Sequence, residues 1–359
     1  MINIISPINS LGYGIAGLNI TKHLTKTTDV SLWPIGNPEC RNEEDIRILS
    51  NCIHNASKPV FDAPCVRIWH QNDMSMFVGN GERIGFPFFE LNKFNDVEKH
   101  HLNSLDRLFV SSCWAKDVAE QNLSINADKI SVVNLGVDPS IFSSSSHPNL
   151  EGRKTVFFNC GKWEIRKGHD ILVNLFNNAF EKDDDVELWM MTRNPFLSEQ
   201  EDSAWRKLYS NSKLGDKIKF IDRVATHEEV YNIMAKADCG VFPSKAEGWN
   251  LELLEMLACG KSVITTNYSA HTEFCTNENS YLTDIKKEEI AFDGKWFNGK
   301  LGDWAKIDQD NQDEMIAHMR EVHKLKSNGE LKINNKGIET AKKLTWDNSA
   351  SQIKKILNV

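Results

Sequence analysis

Thr155-Val156-Phe157-Phe158-Asn159-Cys160-Gly161-Lys162-Trp163-Glu164-Ile165-Arg166-Lys167-Gly168-His169-Asp170 is the stretch on which the fold turns. The apolar run Thr155–Cys160, closed by a glycine, reads as a short buried strand. A basic loop follows, and a helix begins near His169. Strand, loop and helix in that order make the unit of a parallel sheet wrapped by helices. Lys162, Arg166 and Lys167 gather where the helix starts. Their charge and the positive end of the helix dipole both favour a diphosphate there. A solvated basic loop is the plainer reading of the same residues.

The rhythm continues outward on both sides. Downstream, strands are expected at 186–192, 218–222, 240–243 and 262–266, making five with the first. Helices are expected at 170–181, 199–212, 226–236 and 251–258. The helix at Thr226 opens with a capping box closed by Glu229. Upstream, strands are expected at 2–5, 30–33, 66–70, 103–111 and 129–135. Helices there fall at 12–25, 43–52 and 114–121. The polar Ser143–Asn149 stretch, with its proline, reads as a linker. The chain thus reads as two doubly wound α/β domains, 1–148 and 149–345, with helices after about residue 310. Open sheets of this kind bind ligands beyond their strand carboxyl ends, so two of them facing across a cleft suit a ligand in two halves.

Composition narrows the classes. The chain has 359 residues, 40% hydrophobic and 26% charged, with net charge -8. Basic residues number 12 against 16 acidic in 1–150, and 30 against 34 in the rest. Neither part carries the basic excess of a nucleic-acid binder, although one local groove would suffice to hold a modified DNA base. The eight cysteines show no C-x-x-C pair and no zinc spacing, and read as buried thiols in a reducing compartment. The N-terminus has no signal-peptide pattern, and no run approaches the length of a membrane span. A cytoplasmic location is expected.

Gly12-Tyr13-Gly14-Ile15-Ala16-Gly17 matches G-x-G-x-x-G between a strand and a helix. Glycines there let backbone N–H groups approach a phosphate. A dinucleotide site also needs an acidic residue at the end of the second strand, where this chain has Trp33-Pro34. A phosphate- or sugar-facing loop using Gly12 and Gly14 is therefore favoured over NAD binding. Glycines that serve only close strand–helix packing are the remaining alternative.

The partner of the basic loop is Ser244-Lys245-Ala246-Glu247-Gly248-Trp249-Asn250-Leu251-Glu252-Leu253-Leu254-Glu255-Met256-Leu257-Ala258-Cys259-Gly260. Glu247 lies in a loop and Glu255 in the helix that follows. Gly248 allows close approach, Asn250 is a good N-cap, and Leu251 opens the helix. Carboxylates suit the hydroxyls of a sugar and a ribose, and the helix start suits a phosphate. Acidic residues in the first turn of a surface helix are the alternative reading.

Glu247-x7-Glu255, followed by Ala258-Cys259-Gly260-Lys261-Ser262-Val263-Ile264, resembles the E-x7-E signature of retaining GT-B glycosyltransferases of family 4 (group 1). Gly161–Gly168 resembles the basic phosphate loop of that family, and Val132–Asp138 with Phe142 resembles the end of its N-terminal domain. Ser111–Ala115 resembles its serine-bearing strand end. The resemblance implies two Rossmann-like domains and transfer of a sugar from a UDP- or GDP-sugar with retention; no cofactor is expected, and metal independence fits a site that uses lysines and helix dipoles to neutralise phosphate. It implies that Glu247 meets the donor sugar, Glu255 the ribose, and Lys167 the departing diphosphate. Lys162 stands where the family has arginine, and Arg166 is expected to share its role. Gly248-Trp249-Asn250 replaces a slimmer glycine-aromatic-glycine stretch. His70 matches a cleft histidine near the donor sugar, with a packed or capping histidine as the alternative. The family's returning C-terminal helix falls on residues 346–359.

No D-x-D stands at a convincing strand end, since Asp183–Asp185 follows a helix and Asp308-Gln309-Asp310 lies in a polar stretch. Asn80–Glu90 reads as an acceptor-side loop whose aromatics could equally be core. The acceptor hydroxyl stays open among glycan, lipid-linked sugar, protein and DNA base. A catalytically weak sugar-nucleotide binder and an NAD-dependent oxidoreductase are the competing functions.

Overall fold

The computed structural model describes residues 1–144 and 154–359. Most of the linker read at Ser143–Asn149, and the boundary placed at 148/149, lie outside the described residues. The chain forms two compact units, Met1–Val137 with Lys343–Val359, and Asp138–Lys342.

Unit 1 runs β1 (Ile2–Ser6), α1 (Gly12–Leu24), β2 (Val30–Pro34), α2 (Glu43–Asn55), β3 (Cys65–Arg67), β4 (Arg83–Gly85), α3 (Asp96–Asn103), β5 (Arg107–Val110), α4 (Cys113–Asn122) and β6 (Ile130–Val132). Its strands form one parallel sheet in the order β2-β1-β3-β4-β5-β6. All five residues of β1 are buried. A strand covered on both faces reads as a continuous apolar run, and Ile2, Ile4 and Ile5 supply it.

Unit 2 runs β7 (Thr155–Gly161), α5 (His169–Ala179), β8 (Val186–Thr192), α6 (Glu199–Ser210), β9 (Ile218–Phe220), α7 (His227–Met234), β10 (Cys239–Phe242), α8 (Leu251–Ala258), β11 (Ser262–Asn267), β12 (Tyr281–Asp284), β13 (Glu288–Phe292), β14 (Asn298–Ala305), α9 (Gln309–Ser327) and α10 (Asn335–Lys343). Its parallel sheet has the order β12-β11-β10-β7-β8-β9, and β13 pairs antiparallel with β14. The core packs Phe157, Leu172, Phe176, Leu188, Val241, Ile264 and Met319 between sheet and helices. The last helix, α11 (Trp346–Leu357), returns to unit 1. His23 Nδ1 meets Asp347 at 2.7 Å, and Ser349 Oγ donates to the Asn134 carbonyl at 2.6 Å.

Both units are Rossmann-like, and each sheet reverses its strand order once. In unit 1 the reversal lies between β1 and β3, and in unit 2 between β7 and β10. Loops leaving the carboxyl ends of these strands diverge to opposite faces and open a crevice.

Several expectations need correction. Unit 2 has six parallel strands among the described residues rather than five, because β12 is a short edge strand in polar sequence. β3 ends at Arg67 rather than at His70. The Arg67 guanidinium donates to the Asp73 carbonyl at 2.8 Å and to its carboxylate at 2.9 Å, drawing the chain out of the sheet. Asn80–Glu90 is not all loop. It contains β4, and Phe86 and Phe89 lie in the core while Phe88 is half-buried. Cys113 is exposed and Cys40 and Cys160 are half-buried, so only five of the cysteines are buried. No helix among the described residues is long and apolar enough to cross a membrane.

Candidate active site

The reversal in unit 2 holds a buried charged cluster. Lys167 Nζ lies 2.9 Å from Glu247 Oε1, and an Arg166 amino group lies 2.7 Å from Glu247 Oε2. The other end of Arg166 meets Glu164 at 2.6 Å, and Lys162 meets Glu164 at 2.8 Å. Glu164, Arg166, Lys167 and Glu247 are all buried, so the loop is not a solvated basic loop. Only Lys162 reaches well into solvent. Ser244 Oγ donates to Glu247 Oε1 at 2.9 Å, and the Glu247 N–H donates to Ser269 Oγ at 2.9 Å.

These groups hold one another ionised. Burial by itself raises the Glu247 carboxyl, but Lys167 and Arg166 outweigh it and hold the carboxyl far below its usual range. Burial likewise opposes the charge on Lys167, and Glu247 more than restores it. Glu164 stays low for the same reason, with Arg166 and Lys162 opposing its burial. Counted as charges, three cations face two carboxylates, which leaves the loop one positive charge beside the start of α5. An anion at this point would meet donors already fixed in place.

Two buried histidines set the frame. The Glu164 N–H donates to His169 Nδ1 at 3.0 Å, so Nε2 carries the proton and donates to Asn159 Oδ1 at 2.9 Å. Asn159 Nδ2 then donates to the Val241 carbonyl at 2.7 Å, tying β7 to β10 across the reversal. His271 uses the other tautomer. Its Nδ1 faces the Thr266 carbonyl at 3.1 Å, and Nε2 accepts from Asn250 Nδ2 at 2.9 Å. Burial lowers His169 to about 3 and His271 to about 4, so both rings are neutral.

Asn250 caps α8, its side chain accepting the Leu253 N–H at 3.2 Å. Its φ of 83° lies in the left-handed region, which asparagine tolerates better than most residues. Leu251 begins the helix and is buried. Trp249 is buried against Phe274 at 4.9 Å, and its indole N–H has no hydrogen-bond partner. Glu255 is half-buried, and burial together with Glu252 pushes its carboxyl well above the ordinary range.

The reversal in unit 1 is built differently. Tyr13, in the first turn of α1, stacks on Phe88 at 4.7 Å and lies 4.7 Å from the His70 ring. Its hydroxyl donates to the Phe88 carbonyl at 3.0 Å and accepts the Phe88 N–H at 2.8 Å. His70 itself is exposed. The glycines separate by role. A Cβ on Gly14 would collide with Asn9, and one on Gly17 with Ser6 and Pro7, while one on Gly12 meets nothing. Gly14 and Gly17 thus serve close packing, and Gly12 faces open space.

Sequence reasoning missed Glu164, Ser244, Ser269 and His271. Glu164 could have been found from its place between Lys162 and Arg166, since a buried basic loop needs a counter-charge. Among the described residues no group of three or more His, Cys, Asp or Glu is placed to hold a metal ion. Asp308 caps α9, and Asp184 accepts the Glu181 N–H at 2.8 Å.

Residues 153–292 match the family model "Glycosyl transferases group 1". This stretch is similar to the domain shared by group 1 glycosyltransferases. It carries the basic loop, Glu247 and Glu255, and with unit 1 it completes the GT-B pair of Rossmann-like units. The chain is 25% identical over 189 residues to a GDP-mannose-dependent alpha-(1-6)-phosphatidylinositol dimannoside mannosyltransferase of Mycobacterium tuberculosis. It is 26% identical over 195 residues to mannosylfructose-phosphate synthase of Agrobacterium fabrum. Each match takes in 50% of this chain but only 46% and 42% of the respective relatives. Among solved structures, the Anabaena protein HepE in complex with UDP-glucose gives a TM-score of 0.71 at 14% identity, covering 99% of both chains. Sucrose-phosphate synthase from Thermosynechococcus elongatus gives 0.70 at 15% identity, covering 99% of this chain and 98% of its own. At such identities these likenesses establish the fold.

Proposed function

We propose that the protein transfers a glycosyl group from a nucleoside diphosphate sugar to a hydroxyl acceptor, with retention and without a metal. The observation that carries this reading is the Glu247 carboxylate clamped between Lys167 and Arg166 at the sheet reversal, beside the starts of α5 and α8. Lys167, Lys162 and Arg166 would receive the diphosphate, and the backbone of Gly248, Trp249, Asn250 and Leu251 would frame the donor. When the anomeric carbon–oxygen bond breaks, its electron pair leaves with the diphosphate. Fixed cations stabilise charge that grows on that oxygen, which is the differential stabilisation catalysis requires. The acceptor oxygen then bonds to the anomeric carbon from the same face, and its proton passes to the departing phosphate oxygen.

Glu247 would bind donor-sugar hydroxyls through lone pairs left over from its ion pairs. Glu255, with its raised carboxyl, would meet the ribose, where a hydroxyl replaces lost water. The unpartnered Trp249 N–H is a donor awaiting an oxygen in the same loop. His70 and the turn at Gly12 would serve the same reaction, with Gly14 holding that turn against Asn9. UDP-glucose in the HepE structure and the GDP-mannose dependence of the mycobacterial relative make these two nucleotides the first to try.

Thermal unfolding with UDP, GDP, ADP and NAD in parallel tests the proposal. One nucleoside diphosphate should raise the midpoint, and Glu255→Ala should abolish that rise. A shift with NAD alone would overturn the proposal and return the glycine turn to a dinucleotide.

A further inference from the structure

Unit 2 carries a cavity to which the reaction above gives no role. It has a volume of about 430 Å³ and lies between the basic loop, α6 and the tip of the β13–β14 hairpin. Trp163 and Trp205 line it, along with Leu197, Glu201, Lys295 and Trp296. The two inner indoles are stacked in parallel, 3° apart in plane and 5.5 Å between centroids. At the mouth, Trp296 and the neighbouring Phe196 meet edge to face at 5.9 Å, and each is about half exposed, at 51% and 53%. Soluble proteins seldom leave two large aromatics out together without a partner.

The polar groups are as specific as the rings. Lys295 reaches from the hairpin to Glu201 on α6 at 2.7 Å, placing a donor and an acceptor side by side at the rim. The hairpin tip is held rigid, because Asp293 accepts the N–H groups of Lys295, Trp296 and Phe297, each at 2.8 Å. Trp163, 1% exposed, has an indole N–H with no hydrogen-bond partner. A buried donor left in this state costs free energy unless something supplies an oxygen.

We propose that this cavity binds a saccharide. A pyranose offers a C–H face that lies against aromatic rings and a rim of hydroxyls that both donate and accept, which matches rings flanked by Lys295 and Glu201. An acyl chain would satisfy the rings and leave the charged rim unmatched. The site adjoins the buried charged cluster, since Glu164 lines the cavity and Lys162 sits 5.7 Å from the Phe196 ring centre and 2.8 Å from Glu164. As a subsite it would hold a sugar of the acceptor, which makes the acceptor a glycan. That role rests on the glycosyl-transfer proposal, whereas saccharide binding does not.

The full-length protein should bind members of an array of immobilised oligosaccharides. Trp296→Ala should weaken that binding about tenfold, as expected for loss of one stacking partner, and Trp296→Phe should restore most of it. The nucleotide-induced rise in unfolding midpoint should be the same in all three proteins, so a failed donor site and a failed saccharide site give different results. Absence of any array binding by the unmutated protein, or equal binding by Trp296→Ala, overturns the inference. So does Trp296-dependent sedimentation with phosphatidylcholine–phosphatidylglycerol vesicles in the absence of glycan binding.

Discussion

The two sheet reversals occupy equivalent places in similar folds and are built from opposite materials. In unit 2 the reversal is filled with charge: Glu247, Lys167, Arg166 and Glu164, each buried and each paired. In unit 1 it is filled with rings, Tyr13, Phe88 and an exposed His70. A buried ion cluster cannot relax when one member is removed, because the others remain desolvated. An exposed ring on a stacked neighbour can be lost with little consequence for folding. The difference separates a prearranged charged cluster from a ring surface that tolerates change.

Glu247→Gln puts the contrast at its greatest. It leaves Lys167 and part of Arg166 uncompensated, and urea unfolding should show a loss of about 3 kcal/mol. His70→Ala should cost less than about 1 kcal/mol in the same experiment. Equal losses would erase the distinction.

Acid should sharpen it. His271 and His169 are neutral in the fold, with values lowered to about 4 and about 3, while an unfolded histidine titrates near about 6.5. Below that pH the unfolded chain takes up protons that the native rings refuse. Stability therefore falls as pH drops from about 6.5 toward 4. The Glu247 contribution, whose carboxyl is depressed, goes only at lower pH still, as carboxylates protonate. Unfolding midpoints taken across this range should decline, and the decline should be smaller in His271→Asn. A flat profile would mean that these rings are protonated in the native state.

The glycine turn of unit 1 divides into a tight position and an open one. Gly14→Ala drives a Cβ into Asn9 and should destabilise by about 2 kcal/mol. Gly12→Ala meets nothing and should be neutral or favourable by up to about 1 kcal/mol, as for a helical glycine. If thermal unfolding ranked them the other way, Gly12 would be the packing residue and Gly14 the open one.

Much of this architecture was legible in the sequence where apolar runs were long. Thr155–Gly161 and Val186–Thr192 are seven-residue strands and announce themselves. Arg83–Gly85 has three residues, one of them a glycine, and Tyr281–Asp284 is an edge strand, so neither presents a pattern. In the site, Lys167 and Glu247 were legible as chemistry but not as a pair, because the contact spans 80 residues. Glu164 was hidden by its own neighbours, and His271 by a role that exists only once Asn250 has taken its left-handed turn.

The return of α11 to unit 1 bears on how the chain is made. Asn134, whose carbonyl and N–H bond to Ser349 and Gln352, must wait more than two hundred residues for its partners. During synthesis Asp138–Lys342 emerges whole before Lys343–Val359 is available. At ribosomal rates of about 5–20 residues per second the interval is on the order of ten seconds or more. The unit that begins first is thus the last to close, and α1 spends that time with its α11-facing side uncovered.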